Sequence, residues 1–210
     1  MISPSLAAVI LAAGASSRMG RDKALLSWQG QTFLGAAMDR LKPFVEFVIV
    51  VAGANAKLLQ PEVYSRAGYL AVNREPKRGQ FSSLRTGLQE VLSRGRDAAI
   101  VALVDRPPAA VATIEKLIET FTRPASIERL KDDALWAVVP EYQGKHGHPI
   151  LIGREMIECL LKADANSNAR EVEHANQKHV RYVAVDDPNV IANVNTPEEY
   201  ARLQAQAETT

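Results

Sequence analysis

Cysteine is almost missing from the sequence. Cys159 stands alone, so no disulfide can form within the chain, and a reducing compartment is expected. Cys159 lies in an apolar helical stretch and reads as a small core residue. No apolar run approaches the ~18 residues of a membrane-spanning helix. The N-terminus shows no basic region followed by an apolar stretch and a cleavage site. A cytoplasmic protein with no membrane partner is therefore expected. Charge of one sign is lacking too: the formal net charge is +1, so no global field recruits nucleic acid or an acidic surface. Internal repeats, low-complexity tracts and linkers are also missing.

Two familiar phosphate-binding motifs are absent as well. A P-loop needs Gly, four residues, then Gly-Lys-Ser/Thr, and the dinucleotide fingerprint needs G-x-G-x-x-G. Gly14 and Gly20 fit neither spacing.

What is present suits a soluble globular protein, with 47% hydrophobic and 23% charged residues in a chain of 210. Such a length buries a substantial core. A single domain over 1–210 is expected, with a nucleotide-binding half at about 1–122 and an acceptor-side half at about 123–205. The organising stretch is 8–23, Ala-Val-Ile-Leu-Ala-Ala-Gly-Ala-Ser-Ser-Arg-Met-Gly-Arg-Asp-Lys. Its apolar start has strand length and no alternation, as a buried strand does. The loop that follows is rich in small residues, so main-chain N–H groups are free to face an anion, and Arg18 and Lys23 add positive charge. We read it as a loop for a nucleoside triphosphate. The competing reading is a plain strand-to-helix connection with solvated basic residues.

Patterning predicts strands at 6–12, 47–52, 69–72, 98–104, 135–140, 149–152 and 180–185, with a further run at 190–194. Helices are expected over 32–41, 57–60 (stopped by Pro61), 82–92, from Pro107-Pro108 through Phe121, around 157–161 and over 170–177. A polar surface loop is expected over 123–133. Thr196-Pro197-Glu198-Glu199 predicts an N-cap, a proline at the first position and a capping box. Alternating strands and helices imply an α/β fold: a doubly wound, mostly parallel sheet in three layers.

In such sheets ligands bind beyond the carboxyl ends of the strands. That rule gathers Gly14, Arg18, Lys23, Asn73, Asp105 and Asn195. Asp105, directly after an apolar strand, suits a hard cation such as Mg2+, which takes its remaining ligands from phosphates and water. Its alternative role is to cap the next helix. Asn195 is either a neutral oxygen ligand or a strand end before the Thr196 cap. Ser82 and Ser83, behind Gly79, begin a helix where hydroxyls meet free N–H groups or a phosphate. Lys77-Arg78 is either a solvated charge run or a phosphate contact. His146 and His148 lack a third soft ligand nearby, which argues against zinc. Gly147 and Pro149 shape the turn around His148, favouring a substrate-contacting loop.

These residues resemble the MobA-like NTP transferase family, the molybdopterin nucleotidyltransferases. Leu11-Ala12-Ala13-Gly14-Ala15-Ser16-Ser17-Arg18-Met19-Gly20 with Lys23 is similar to its signature loop. Val104-Asp105-Arg106-Pro107 is similar to its metal-binding strand end. Gly147-His148-Pro149-Ile150-Leu151 is similar to its acceptor-side loop, and Asn195-Thr196-Pro197-Glu198-Glu199 to its closing motif. The resemblance is nearest to the cytidylyl-transferring members, because guanylyl-transferring relatives more often carry glycine where Ala13 stands. It implies a nucleotide-diphospho-sugar transferase type of fold and a Mg2+-dependent reaction. Leu11, Ala12, Ala13 and Gly14 would hold base and ribose, and Arg18 and Lys23 the phosphates, with Ser17 and Gly20 also nucleotide-binding. Asp105 and Asn195 would hold the metal, and His148 would face the acceptor. Asn73, Gly79, Ser82 and Ser83 complete the nucleotide-binding set, with Arg18, Lys23 and Asp105 catalytic. The partners implied are a triphosphate, CTP favoured, and a small phosphorylated acceptor, on a monomer or weak homodimer. Two other functions stay open: transfer to a sugar phosphate, and a nucleotide-binding regulatory module without turnover. Asn195 stands where the closing motif usually has aspartate, and Arg106 is not the commonest residue after the metal aspartate.

Overall fold

The computed structural model describes residues 5–14, 19–123 and 134–207. The expected surface loop at 123–133 lies, but for Arg123, outside the described residues, as do Ala15, Ser16, Ser17 and Arg18 of the glycine-bearing segment.

The first half alternates strand and helix. β1 (Leu6–Leu11) is followed by a small hairpin of β2 (Ser27–Trp28) and β3 (Gln31–Thr32). Then come α1 (Phe33–Leu41), β4 (Phe47–Ala52), α2 (Ala56–Ser65) and β5 (Tyr69–Val72). α3 (Gln80–Ser93), β6 (Ala98–Leu103) and α4 (Val111–Thr122) complete it. The second half supplies β7 (Ala137–Tyr142), β8 (Lys145–His146), β9 (Ile150–Gly153), α5 (Arg154–Lys162), α6 (Ala169–Ala175), β10 (Val180–Ala184) and α7 (Pro197–Ala207).

Among the described residues the main sheet runs β10-β7-β9-β6-β1-β4-β5, with β8 paired to β7. Neighbours are parallel from β6 through β1 and β4 to β5, and again between β7 and β10. β9 is antiparallel to both β6 and β7. The side chains of β1 explain the layering. Leu6, Ala8 and Ile10 join a core with Leu34, Met38, Leu59, Ile114 and Leu117 from α1, α2 and α4. Ala7, Val9 and Leu11 join the opposite core with Leu84, Leu88, Ile157 and Leu160 from α3 and α5. A strand buried on both faces has no polar alternation, as its sequence shows. The mostly parallel three-layer sheet agrees with the sequence expectation. Among the described residues, no helix is long and apolar enough to cross a membrane.

Three local expectations are corrected. α2 does not stop before Pro61 but continues to Ser65. Pro61 lies on the exposed face, as does Lys57, the residue whose carbonyl loses its N–H partner, while buried Leu59 and Val63 hold both halves to the core. Pro107-Pro108 does not open α4; the helix begins at Val111. Its start is set in trans by buried Asp187, whose carboxylate accepts from Ala110 N at 2.7 Å and Thr113 Oγ1 at 2.9 Å. The run at 190–194 is not a strand: a 3-10 turn at Pro188–Val190 leads into irregular backbone.

The Asp187 cap carries a stability prediction. Asp187→Ala leaves the Ala110 N–H and the Thr113 hydroxyl, both at the start of α4, without their acceptor and is expected to cost about 2–3 kcal/mol. Thermal unfolding would fall by roughly 6 °C for a chain of this size. An unchanged melting temperature would refute the capping role.

Candidate active site

A cleft of about 720 Å3 opens at the carboxyl ends of β1, β4 and β6. That size suits a small organic ligand. Its floor is the end of β1 with Ala12, Ala13 and Gly14, and its far side is Leu103, Val104 and Asp105. Asp22, Lys23, Ala54, Asn55, Pro76, Lys77, Gly79, Gln80, Ser83 and Asn195 complete the lining. Gly79 has φ +90°, a conformation side chains rarely adopt, and α3 starts from it at the cleft wall.

The charged end is compact. Lys23 Nζ donates to Asn195 Oδ1 at 2.8 Å and lies 3.6 Å from Asp105 Oδ2. Lys23 is brought there by a 3-10 turn, Lys23–Leu25, capped by Asp22, whose Oδ1 accepts from Ala24 N at 2.9 Å. Asp105 follows β6, and its carbonyl accepts from Val194 N at 2.8 Å. That bond brings Asn195 alongside without the parallel strand that the sequence suggested. Glu199 Oε2 accepts from Asn195 N at 2.7 Å and Thr196 N at 3.2 Å, and Thr196 Oγ1 accepts from Glu199 N at 3.3 Å. This is the expected capping box, extended by one residue. Behind it, Tyr200 and Leu203 of α7 pack with Met19, Trp28 and Phe33, so the C-terminal helix is tied to the end of the glycine-bearing segment.

Lys23 places an ammonium against two oxygens, one anionic and one neutral. Among the described residues, no three His, Cys, Asp or Glu side chains gather to cage a metal. One carboxylate and one amide oxygen at a cleft rim suit a hard divalent cation that draws its other ligands from phosphates and water. The donor set thus fits Mg2+ or a cation like it, provided that Lys23 Nζ yields Asn195 Oδ1 and turns to the phosphates when the cation binds.

Of the sequence candidates, Leu11, Ala12, Ala13, Gly14, Lys23, Gly79, Ser83, Asp105 and Asn195 line this cleft. Gly20, Asn73, Ser82 and His148 do not. Asn73 works behind the wall: its Nδ2 donates to Ser82 Oγ at 2.8 Å and Ser83 Oγ at 3.0 Å, and its Oδ1 accepts from Glu75 N at 2.9 Å. His148 lines a separate crevice of about 20 Å3 between α1 and α4, with Arg40 and Arg106. Burial and the nearby Arg106 charge push its pKa down to about 3, so the ring stays neutral at physiological pH. Arg106 donates to Val190 O at 2.6 Å, which also accepts from His148 N at 2.9 Å. Burial lowers the Arg106 pKa, and adjacent Asp105 opposes that shift. This half-buried guanidinium therefore fastens the 187–195 segment to the backbone beside Asp105.

Asp22, Asn55 and Gln80 were not singled out by sequence. Asp22 had one signal, its place directly before Lys23; Asn55 had only its position after Gly53.

A family model described as MobA-like NTP transferase domain matches residues 8–181. A molybdenum cofactor guanylyltransferase of Shewanella loihica is 28% identical over 206 residues, covering 96% of this chain and 97% of that protein. A molybdenum cofactor cytidylyltransferase of Escherichia coli is 25% identical over 195 residues, covering 91% and 92%. A nicotine blue oxidoreductase of Paenarthrobacter nicotinovorans is 29% identical over 205 residues, covering 95% and 97%. Among solved structures, Rv0371c of Mycobacterium tuberculosis superposes with a TM-score of 0.80 at 27% identity, covering 98% of this chain and 100% of that one.

Proposed function

Because the chain belongs to the MobA-like NTP transferase family, we propose that it transfers a nucleotidyl group from a nucleoside triphosphate to a small phosphorylated acceptor of the molybdopterin type. The observation that carries this reading is the meeting of Lys23, Asp105 and Asn195 in one cleft beside the end of β1.

Leu11–Gly14, with Gly79 and Ser83, form the end that receives base and ribose; Lys23 and Arg18 serve the phosphates. Arg18 enters from its place in the motif alone, since it lies outside the described residues. An acceptor phosphate oxygen attacks the α-phosphorus. The new O–P bond forms as the bond to the bridging oxygen breaks, and that electron pair leaves with pyrophosphate. The acceptor is already an anion, so no strong base is needed, and the chain's work is alignment and charge neutralisation. A divalent cation held by Asp105 and Asn195, Mg2+ in this reading, would supply Lewis-acid neutralisation of phosphate oxygens. Lys23 meets charge developing on the leaving group. His148, off the cleft and neutral, would act on the acceptor through the shape of its loop rather than by proton transfer. The single cysteine suits a reducing compartment, and the reading places the enzyme in the cytoplasm.

The finer reading is CMP transfer from CTP. It rests on the resemblance at Ala13, a residue of the cleft lining where guanylyl-transferring relatives more often carry glycine. The test is pyrophosphate release with CTP and GTP in turn, MgCl2 and a molybdopterin-type acceptor. Release with CTP in preference to GTP is expected; preference for GTP would overturn the cytidylyl choice alone. Release only with sugar phosphates would move the enzyme to that acceptor class. No release with any acceptor, together with redox turnover of nicotine blue, would favour the oxidoreductase relative.

A further inference from the structure

One side chain closes the two ends of the glycine-bearing segment. Asn55 Nδ2 donates to Ala12 O at 2.9 Å and to Asp22 Oδ2 at 2.6 Å. Its Oδ1 accepts from Gly53 N at 3.0 Å. Both amide hydrogens and the carbonyl are therefore engaged. Asparagine at the start of a helix ordinarily accepts from that helix's own free N–H groups. Asn55 is the N-cap of α2 and makes no such bond. Its side chain is turned the other way, onto the flanks of 13–21.

The contact reaches the charged end of the cleft. The same Asp22 carboxylate that receives Asn55 caps the turn bearing Lys23. The β4–α2 turn is pressed against the segment closely enough that a Cβ at Gly53 would lie 3.2 Å from Ala13 O. Asn55 and Asp22 both line the cleft.

We propose that Asn55 is the positioning residue that holds the Lys23-bearing turn against the end of β1 for the triphosphate, by bridging Ala12 and Asp22 through one amide. The inference rests on the nucleotidyl-transfer reading of the cleft. It assigns part of the triphosphate affinity to a residue of the neighbouring turn, acting through Asp22.

The bridge has a donor-acceptor polarity that a double-mutant cycle can read. Asn55→Asp sets a carboxylate against Asp22 and against the Ala12 carbonyl. Asp22→Asn supplies a donor facing that carboxylate and keeps an acceptor for Ala24 N. Calorimetric Kd values for CTP and GTP with MgCl2 are measured on the full chain for wild type, both single variants and the double variant. Asn55→Asp is expected to weaken the better-bound triphosphate about tenfold or more on the wild-type background. On the Asp22→Asn background the same change is expected to cost less than about threefold, since interacting neighbours are not additive. Equal costs on both backgrounds, or unchanged affinity for Asn55→Asp, would overturn the proposal. Thermal unfolding monitors the fold. If Asn55→Asp does not fold, Asn55→Ala takes its place, adding no charge. It is expected to weaken binding about fivefold, and wild-type affinity there would overturn the proposal equally. A wild-type protein that binds no triphosphate would instead sink the nucleotide reading itself.

Discussion

Asp105→Ala is expected to lower the rate of pyrophosphate release by about 10³-fold while leaving the protein folded. The two halves of that expectation have separate causes. What holds residue 105 in place is backbone: its carbonyl accepts from Val194 N, and alanine keeps that bond. The carboxylate contributes a contact to Lys23 at 3.6 Å with its side chain 31% exposed, an ion pair worth at most about 1 kcal/mol after solvent screening. Melting should therefore move by a few degrees at most. Function loses much more. Asp105 is the anionic member of the proposed cation-binding pair; its partner Asn195 brings only a neutral oxygen. Without the carboxylate, a dication has little reason to sit between the protein and the phosphates. Asp105→Asn, which keeps size and polarity, should be nearly as inactive, and that separates charge from packing. Full activity in either variant would remove Asp105 from the site. A collapse of the melting temperature in Asp105→Ala would mean that its role is structural.

Most of the sheet was legible because its central strands are buried on both faces and the more exposed edge strand β5 is apolar as well. Phe47–Ala52 and Tyr69–Val72 end where their apolar runs end. Thr196, Pro197 and Glu199 announced the start of α7 by local chemistry alone. Errors arose wherever a distant partner overrules a local rule. Pro61 reads as a stop until it and Lys57, four residues before it, are found on the exposed side of α2. Pro107-Pro108 reads as a helix start until Asp187, far along the chain, is found capping α4 instead. The run at 190–194 has strand composition, yet its polar groups go to the Asp105 backbone and to Arg106 rather than to a sheet neighbour.

The site divides along the same line. Asp105 was readable because a charged residue closing an apolar strand has few structural excuses, and Lys23 because it closes a glycine-bearing basic segment that follows one. Asn195 was placed by a strand that does not exist; a single hydrogen bond from Val194 brings it to the same spot. His148 sits in a shaped turn as expected, but the turn directs its ring toward Arg106 and a small crevice instead of the cleft. Asn55 could not be found by pattern at all. An asparagine after a strand is ordinarily a turn residue or a helix cap, and only three-dimensional proximity to Ala12 and Asp22 gives it another task.

Lys23→Ala should lower kcat/KM by roughly 10²-fold or more, and unlike the Asp105 variants it should damage affinity and turnover together. Lys23 is only 15% exposed, so its ammonium acts where water screens it poorly. It is rigidly delivered as well: the Asp22-capped turn and the Asn195 contact at 2.8 Å leave little freedom to its stem. In the proposed reaction a cation so placed would meet the triphosphate in the ground state, which would raise KM when it is lost. It meets more charge as pyrophosphate separates, which lowers kcat. Lys23→Arg should recover little, because a planar guanidinium cannot occupy the position of a compact ammonium between Asn195 and Asp105. Steady-state pyrophosphate release, with calorimetric triphosphate binding alongside, reads both components. Unchanged kinetics in Lys23→Ala would mean that the ammonium only neutralises Asp105 at rest. A loss confined to KM would restrict Lys23 to holding the triphosphate and leave the departing pyrophosphate to other groups.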